Sequence, residues 1–221
     1  MRIRWPFLCL PILPQAAKRV TIRAVLNRQP IIIFQTASIM THTSTSQTDS
    51  ASSSQLYIGI MSGTSMDGAD AVLIRIEGDQ WREAVSHAFI PYSDDLRHEL
   101  LDLQNIGNNE LHRSMLLSQK LSCLYADTVS LLLKQTELQA HDIVAVGCHG
   151  QTVRHAPEAG YSIQLADLAL LAHLTGIFTI GDFRSRDLAA GGQGAPLVPA
   201  FHQALFQSDS ETRVVLNIGG I

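Results

Sequence analysis

Only three cysteines, Cys9, Cys123 and Cys148, occur in 221 residues, and no two of them stand in a Cys-x-x-Cys spacing. That excludes a disulfide framework and a cysteine zinc site, and it suits a reducing compartment. Charge is scarce as well: Asp, Glu, Lys and Arg make up 16% of the chain, and the formal net charge is −4. Without a basic excess there is no electrostatic footprint for nucleic acid, so no nucleic-acid partner is expected. Aromatics are few at 6%, against 46% hydrophobic residues, an ordinary balance for a globular chain. The opening apolar run, Trp5 to Pro14, is too short to span a bilayer, and no membrane partner is expected.

Acidic residues are missing from positions 1–48, which hold Arg2, Arg4, Lys18, Arg19, Arg23 and Arg28. That segment is +6, and the remainder, with 10 basic against 20 acidic residues, is −10. Pro6, Pro11 and Pro14 break any helix near the start, while Thr41 to Gln55 is nearly all Ser, Thr, Gln and Ala. Such a composition cannot bury a core. Residues 1–55 are therefore expected to stand outside the folded domain. They read as a targeting segment, a disordered tail or upstream sequence from a misplaced start, with Met40 as the alternative start. The last of these is preferred.

From Leu56 the pattern changes. Leu56–Met61, Ala71–Glu77 and Trp81–Ile90 read as three strands of an antiparallel meander, with Gly78-Asp79 as a turn. Ser93 is a candidate N-cap for a helix carrying Leu96, Leu100 and Leu103 on one face. Leu111–Leu138 reads as a long helix and Ile143–Val146 as a buried strand running into a polar turn, Gly147–Thr152. A helix over Asp167–Thr175 is stopped by Gly176, and Ile177–Ile180 is again a strand. After Gly191–Gly194 a helix starts at Pro196 and runs to about Phe206, and Thr212–Leu216 begins a last strand. The order predicts an α/β fold, a mixed sheet with helices on its faces.

Four stretches carry candidate chemistry. Ser62-Gly-Thr-Ser-Met-Asp-Gly-Ala-Asp70 sits between two strands. Gly63 and Gly68 let backbone N–H groups approach phosphate oxygens, Thr64 and Ser65 add hydroxyls, and Asp67 or Asp70 can reach Mg2+. No Lys-Ser/Thr follows, and the next element is a strand, so a Walker loop is excluded; a plain polar hairpin turn fits the spacing equally well. In Gly181-Asp-Phe-Arg-Ser-Arg-Asp187, Asp182 falls at the carboxyl end of a buried strand, where α/β sheets hold ligands and a carboxylate can take a proton. Arg184 and Arg186 suit anions, or a local ion-pair network with Asp182 and Asp187. In Gly147-Cys-His-Gly-Gln-Thr-Val-Arg-His155, His149 and Gln151 can hydrogen-bond a sugar and Arg154 can meet an acid. Cys148 reads as a buried structural thiol, and the histidine spacing gives no metal site. Gly191-Gly-Gln-Gly-Ala-Pro196 leads toward a helix N-terminus, which favours anions, or is merely a linking loop.

In order, Met61–Asp70, Gly147–His155, Gly181–Arg184, Gly191–His202 and Leu216-Asn-Ile-Gly-Gly-Ile221 resemble the successive signature blocks of the anhydro-N-acetylmuramic acid kinase family. The resemblance runs over Leu56 to Ile221. It implies an actin/hexokinase/Hsp70-like (ribonuclease H-like) fold, with residues 56–210 as the first domain and 211–221 as the first strand of a second. It implies a cytoplasmic enzyme, a homodimer at full length, that uses ATP and Mg2+. Such an enzyme opens 1,6-anhydro-N-acetylmuramic acid with water and phosphorylates O6, in peptidoglycan recycling. By position, Gly63, Thr64, Ser65, Met66, Asp67, Gly68, Ala69 and Asp70 would form the ATP phosphate loop, and Asp182 would be the general base. His149, Gln151, Arg184 and Gln193 would contact the sugar. In the family, Asn217–Ile221 opens the domain that completes the nucleotide cleft. This chain alone is therefore expected to be inactive. The alternatives are a levoglucosan-type anhydrosugar kinase and a non-catalytic fragment.

Overall fold

The computed structural model describes residues 54–78 and 80–216. Positions 1–53 of the 1–55 segment expected to stand outside the domain, Asp79 of the expected turn and Asn217–Ile221 lie outside the described residues, whereas Ser54 and Gln55 already belong to the first strand. Strands β1 (Ser54–Met61), β2 (Gly68–Glu77) and β3 (Gln80–Pro91) form the expected meander. Strand β4 (Ile143–Cys148) lies parallel to β1, and β7 (Thr179–Ile180) parallel to β4. The sheet order is β3-β2-β1-β4-β7. A sheet antiparallel on one side of β1 and parallel on the other, with helices packed against it, is the mixed α/β fold expected of an actin/hexokinase-like domain.

The two faces follow from the period of two along each strand. Ile58 and Ile60 of β1 and Ala69, Ala71 and Leu73 of β2 point to the main core. There they meet α1 (Asp94–Asp102), α2 (Glu110–Thr136) and α3 (Leu168–Thr175) through Leu100, Leu117, Leu121, Tyr125, Leu132 and Leu171. Val72 and Ile74 point the other way and pack with Tyr57, Trp81 and Phe201 of α5 (Pro199–Phe206). Helix ends obey local chemistry. Ser93 Oγ accepts from Leu96 N at 3.2 Å, and Asp167 Oδ1 accepts from Leu170 N at 2.9 Å. Gly176 closes α3 in the left-handed conformation, φ +68°.

Several expectations are corrected. The polar turn over Gly147–Thr152 shrinks to His149-Gly150, because β4 runs on to Cys148 and a fifth strand, β5 (Gln151–Ala156), begins at once. β5 pairs antiparallel with β6 (Tyr161–Leu165), a hairpin the hydrophobic pattern hid. The expected loop over Gly63–Asp70 ends at Asp67, since Gly68, Ala69 and Asp70 are already in β2. Helix α5 starts at Pro199, not Pro196: the second of two prolines takes the first turn, where its missing N–H is harmless. Thr212–Leu216 pairs with no strand among the described residues and is exposed. No helix among the described residues is long and apolar enough to cross a membrane.

Candidate functional site

Because β1, β4 and β7 are parallel, their carboxyl ends meet at one edge, and three of the four motifs leave the sheet there. β1 delivers Ser62 and Gly63, β4 delivers His149 and Gly150, and β7 delivers Gly181 and Asp182. A cavity of about 270 Å³ opens at that edge, lined by Cys148, His149, Asp182 and Ser185 together with Ser162 and Gln164 of β6. Its size is near the lower end for small-molecule sites, roughly 300–1,000 Å³.

Asp182 is exposed and has φ +54°, a left-handed conformation that Asp tolerates better than most residues. The turn brings Ser185, the first residue of α4 (Ser185–Ala189), against it: Ser185 Oγ–H donates to Asp182 Oδ1 at 2.6 Å. The other carboxylate oxygen has no hydrogen bond among the described residues and is free to accept a proton. A group held on one oxygen and open on the other suits a general base.

Arg184 does not join the expected ion-pair network. Neither Arg184, Arg186 nor Asp187 pairs with an opposite charge among the described residues. Instead Arg184 donates to His149 Nε2 at 2.8 Å and to the Gly194 carbonyl, while Asp187 accepts from Gly194 N at 2.7 Å. A guanidinium only donates, so His149 Nε2 is the acceptor and the ring proton sits on Nδ1, which donates to the Gly150 carbonyl at 2.8 Å. Burial, with Arg184 adding to it and the Gly150 bond opposing, pushes the His149 imidazole down to about 4. His149 is thus neutral at pH 7 and has no lone pair free while Arg184 holds it.

The sign of its pH effect follows. The unfolded chain would protonate His149 near 6.5 and the folded chain only near 4, so stability is lost as pH falls from 6.5 to 4. Thermal unfolding across that window is expected to show wild type losing on the order of 3 kcal/mol more stability than His149→Gln. Equal losses of stability would refute the neutral assignment.

The phosphate-loop candidate is Ser62–Asp67. A turn closes from Met66 N to the Gly63 carbonyl at 3.1 Å, and Met66 is fully buried with φ +55°. The Met66 side chain therefore serves the core, leaving only backbone at that position for a ligand. Thr64 and Asp67 are exposed, and Asp67 has no side-chain partner among the described residues. Asp70 is held by His87 Nε2 at 2.8 Å, so Asp67 is the carboxylate better placed for a divalent cation. Gly68 is required by crowding: a Cβ there would collide with the Ile90 carbonyl and, at 2.6 Å, with the Phe89 ring.

Other expected positions fall elsewhere. Gln151 is fully buried and does not line the cavity; Gln193 is exposed in the 191–194 loop, also off the lining. Arg154 is committed to Glu110 at 3.1 Å and to the carbonyls of Leu103 and Asn105. Cys148 is buried and its thiol is pushed up to about 12 by desolvation, so it is no nucleophile. Ser162 and Gln164 are the lining residues that sequence reading missed. The alternation in Tyr161-Ser-Ile-Gln-Leu165 after Gly160 was the available signal.

Comparison with known proteins decides the family. The family model for anhydro-N-acetylmuramic acid kinase matches residues 55–221. The chain belongs to the anhydro-N-acetylmuramic acid kinase family. Curated anhydro-N-acetylmuramic acid kinases are 74% identical in Neisseria meningitidis serogroup C and 56% identical in Bordetella petrii, each over 167 residues. These alignments cover 76% of this chain but only 46% and 44% of the two anhydro-N-acetylmuramic acid kinases. The chain thus spans a little under half the length of the relatives it matches.

Proposed function

We propose that this chain supplies the sugar-binding side and one phosphate loop of an ATP-dependent anhydrosugar kinase. The substrate is 1,6-anhydro-N-acetylmuramic acid and the products are N-acetylmuramic acid 6-phosphate and ADP, a step of peptidoglycan recycling in the cytoplasm. The observation that supports this most is Asp182 and neutral His149 facing one cavity beside the Ser62–Asp67 loop, in a member of this family.

The free Asp182 oxygen takes a proton from water as the water oxygen bonds to C1. The C1–O6 bond then breaks, and O6 accepts the phosphoryl group. Bound ATP supplies that group, and Mg2+ neutralises its charge. Backbone N–H groups from Gly63 onward cradle phosphate oxygens, and Asp67 reaches the cation. Arg184 and the Ser162 and Gln164 side chains orient sugar hydroxyls, and His149 contributes by holding the Arg184 guanidinium in place. Gln151, buried at the start of β5, serves the sugar only through the Gly63 carbonyl that it holds. The full-length enzyme works as a homodimer.

The test uses the chain joined to the C-terminal half of the Neisseria meningitidis relative, here termed the completed chain. Phosphorus NMR with ATP should show a sugar 6-phosphate from 1,6-anhydro-N-acetylmuramic acid and little from levoglucosan. Preference for levoglucosan, or ATP hydrolysis without a sugar ester, would overturn the substrate assignment.

A further inference from the structure

The loops after β1 and β4 are fastened to each other by two reciprocal bonds. Ser62 Oγ–H donates to the Gly150 carbonyl at 3.1 Å, and Gln151 Nε2–H donates back to the Gly63 carbonyl at 3.2 Å. Each residue uses its side chain to grip the backbone next to the other. Both are inaccessible: Ser62 is 2% exposed and Gln151 0%. The orientation of the Gln151 amide is fixed, because it also donates to the Thr152 carbonyl at 3.3 Å and oxygen cannot face two carbonyls. Its Oε1 is left buried with no partner among the described residues, an arrangement that packing alone does not favour.

Bond directions propagate outward from the Gly150 carbonyl. That carbonyl also accepts from His149 Nδ1. Ser62 spends its only proton on it, so its oxygen accepts from Tyr125 O–H at 3.1 Å, and Tyr125 in turn accepts from Tyr92 O–H at 3.3 Å. Burial raises both phenols, which therefore keep their protons. Two donor chains thus converge on the Gly150 carbonyl, Tyr92 to Tyr125 to Ser62 from the core and Arg184 to His149 from the cavity side.

We propose that Ser62 and Gln151 are positioning residues: together they clasp the phosphate loop to the His149 turn and set the distance between the transferred phosphoryl group and the sugar. This deepens the kinase reading and rests on it. Neither residue touches a reacting atom. The effect is geometric, and an ångström of misplacement between reactants is worth about 100-fold in rate.

The experiment compares Ser62→Ala, Gln151→Met and the double variant in the completed chain. Each single change should lower kcat about 10- to 100-fold, with both KM values within about threefold, and the double should be little worse than the poorer single. Tyr125→Phe removes a hydroxyl but leaves both clasp bonds, and it should cost less than either. A merely structural role predicts instead lower thermal stability with kcat unchanged in the folded fraction, or multiplicative losses in the double. Either result overturns the clasp. Should the wild-type completed chain phosphorylate no anhydrosugar, the functional reading fails, and amide exchange in the 221-residue chain still decides the clasp. Gln151→Met must then speed exchange in the Gly63–Asp67 loop, and Ser62→Ala must speed it at Gly150–Thr152. Unchanged exchange across the pair would refute it.

Discussion

Asp182→Asn in the completed chain is expected to lower phosphorylation of the anhydrosugar by about 1,000-fold, with nucleotide affinity within about threefold of wild type. The expectation rests on what the residue has around it. Asp182 Oδ1 is held by Ser185 Oγ–H at 2.6 Å, and the amide oxygen of Asn can keep that bond. The variant therefore preserves the left-handed turn at φ +54°, which Asn tolerates as well as Asp. It loses the basic carboxylate of the cavity wall, whose other lining residues among those described include no carboxylate. His149 is excluded because Arg184 occupies its Nε2 at 2.8 Å. A single-turnover measurement with nucleotide binding followed in parallel separates these effects. Turnover within tenfold of wild type would place the base elsewhere.

Gly150→Ala is expected to destabilise the fold by about 3 kcal/mol, and to lower the melting temperature by roughly 6–12 °C. Two costs combine. Gly150 has φ +74°, and a Cβ there would stand 2.7 Å from the Leu165 carbonyl, whose residue is paired with Gln151 in the β5–β6 hairpin. Relief requires the hairpin to move, and the hairpin carries Ser162 and Gln164 of the cavity wall. The same peptide holds Ser62 and His149, so activity in the completed chain should fall further than stability alone explains. Gly160→Ala is the control. It has φ +81° with nothing within 4 Å, so its cost is the backbone term alone, about 1–2 kcal/mol. Equal losses at the two glycines, read by calorimetry, would contradict the crowding argument.

What was legible in the sequence was whatever a short window determines. The meander, the Ser93 and Asp167 caps and the Gly176 stop each depend on residues within a few positions of one another. So does the placement of Asp182 just after a strand. The β5–β6 hairpin was not legible. β6 alternates Tyr161, Ile163 and Leu165 with Ser162 and Gln164, but β5 offers only Val153 and Ala156 among Gln151, Thr152, Arg154 and His155, so one arm of the pair carries no apolar alternation. Arg184 failed for a different reason. Its carboxylate neighbours in sequence looked like partners, but its true acceptor, His149, lies 35 positions away and only the parallel pairing of β4 with β7 brings it near. The same holds for Ser62 and Gln151, 88 positions apart from the backbone atoms they grip.

The placement of sugar and phosphate is open to one direct measurement, a crystal structure of the completed chain with 1,6-anhydro-N-acetylmuramic acid and a non-hydrolysable ATP analogue. The account predicts a water within about 2.6–3.2 Å of the free Asp182 oxygen and positioned over C1. It also predicts terminal phosphate oxygens on the N–H groups of the Gly63–Asp67 loop. A sugar bound away from the Asp182–His149 cavity, or a loop turned from the nucleotide, would contradict it.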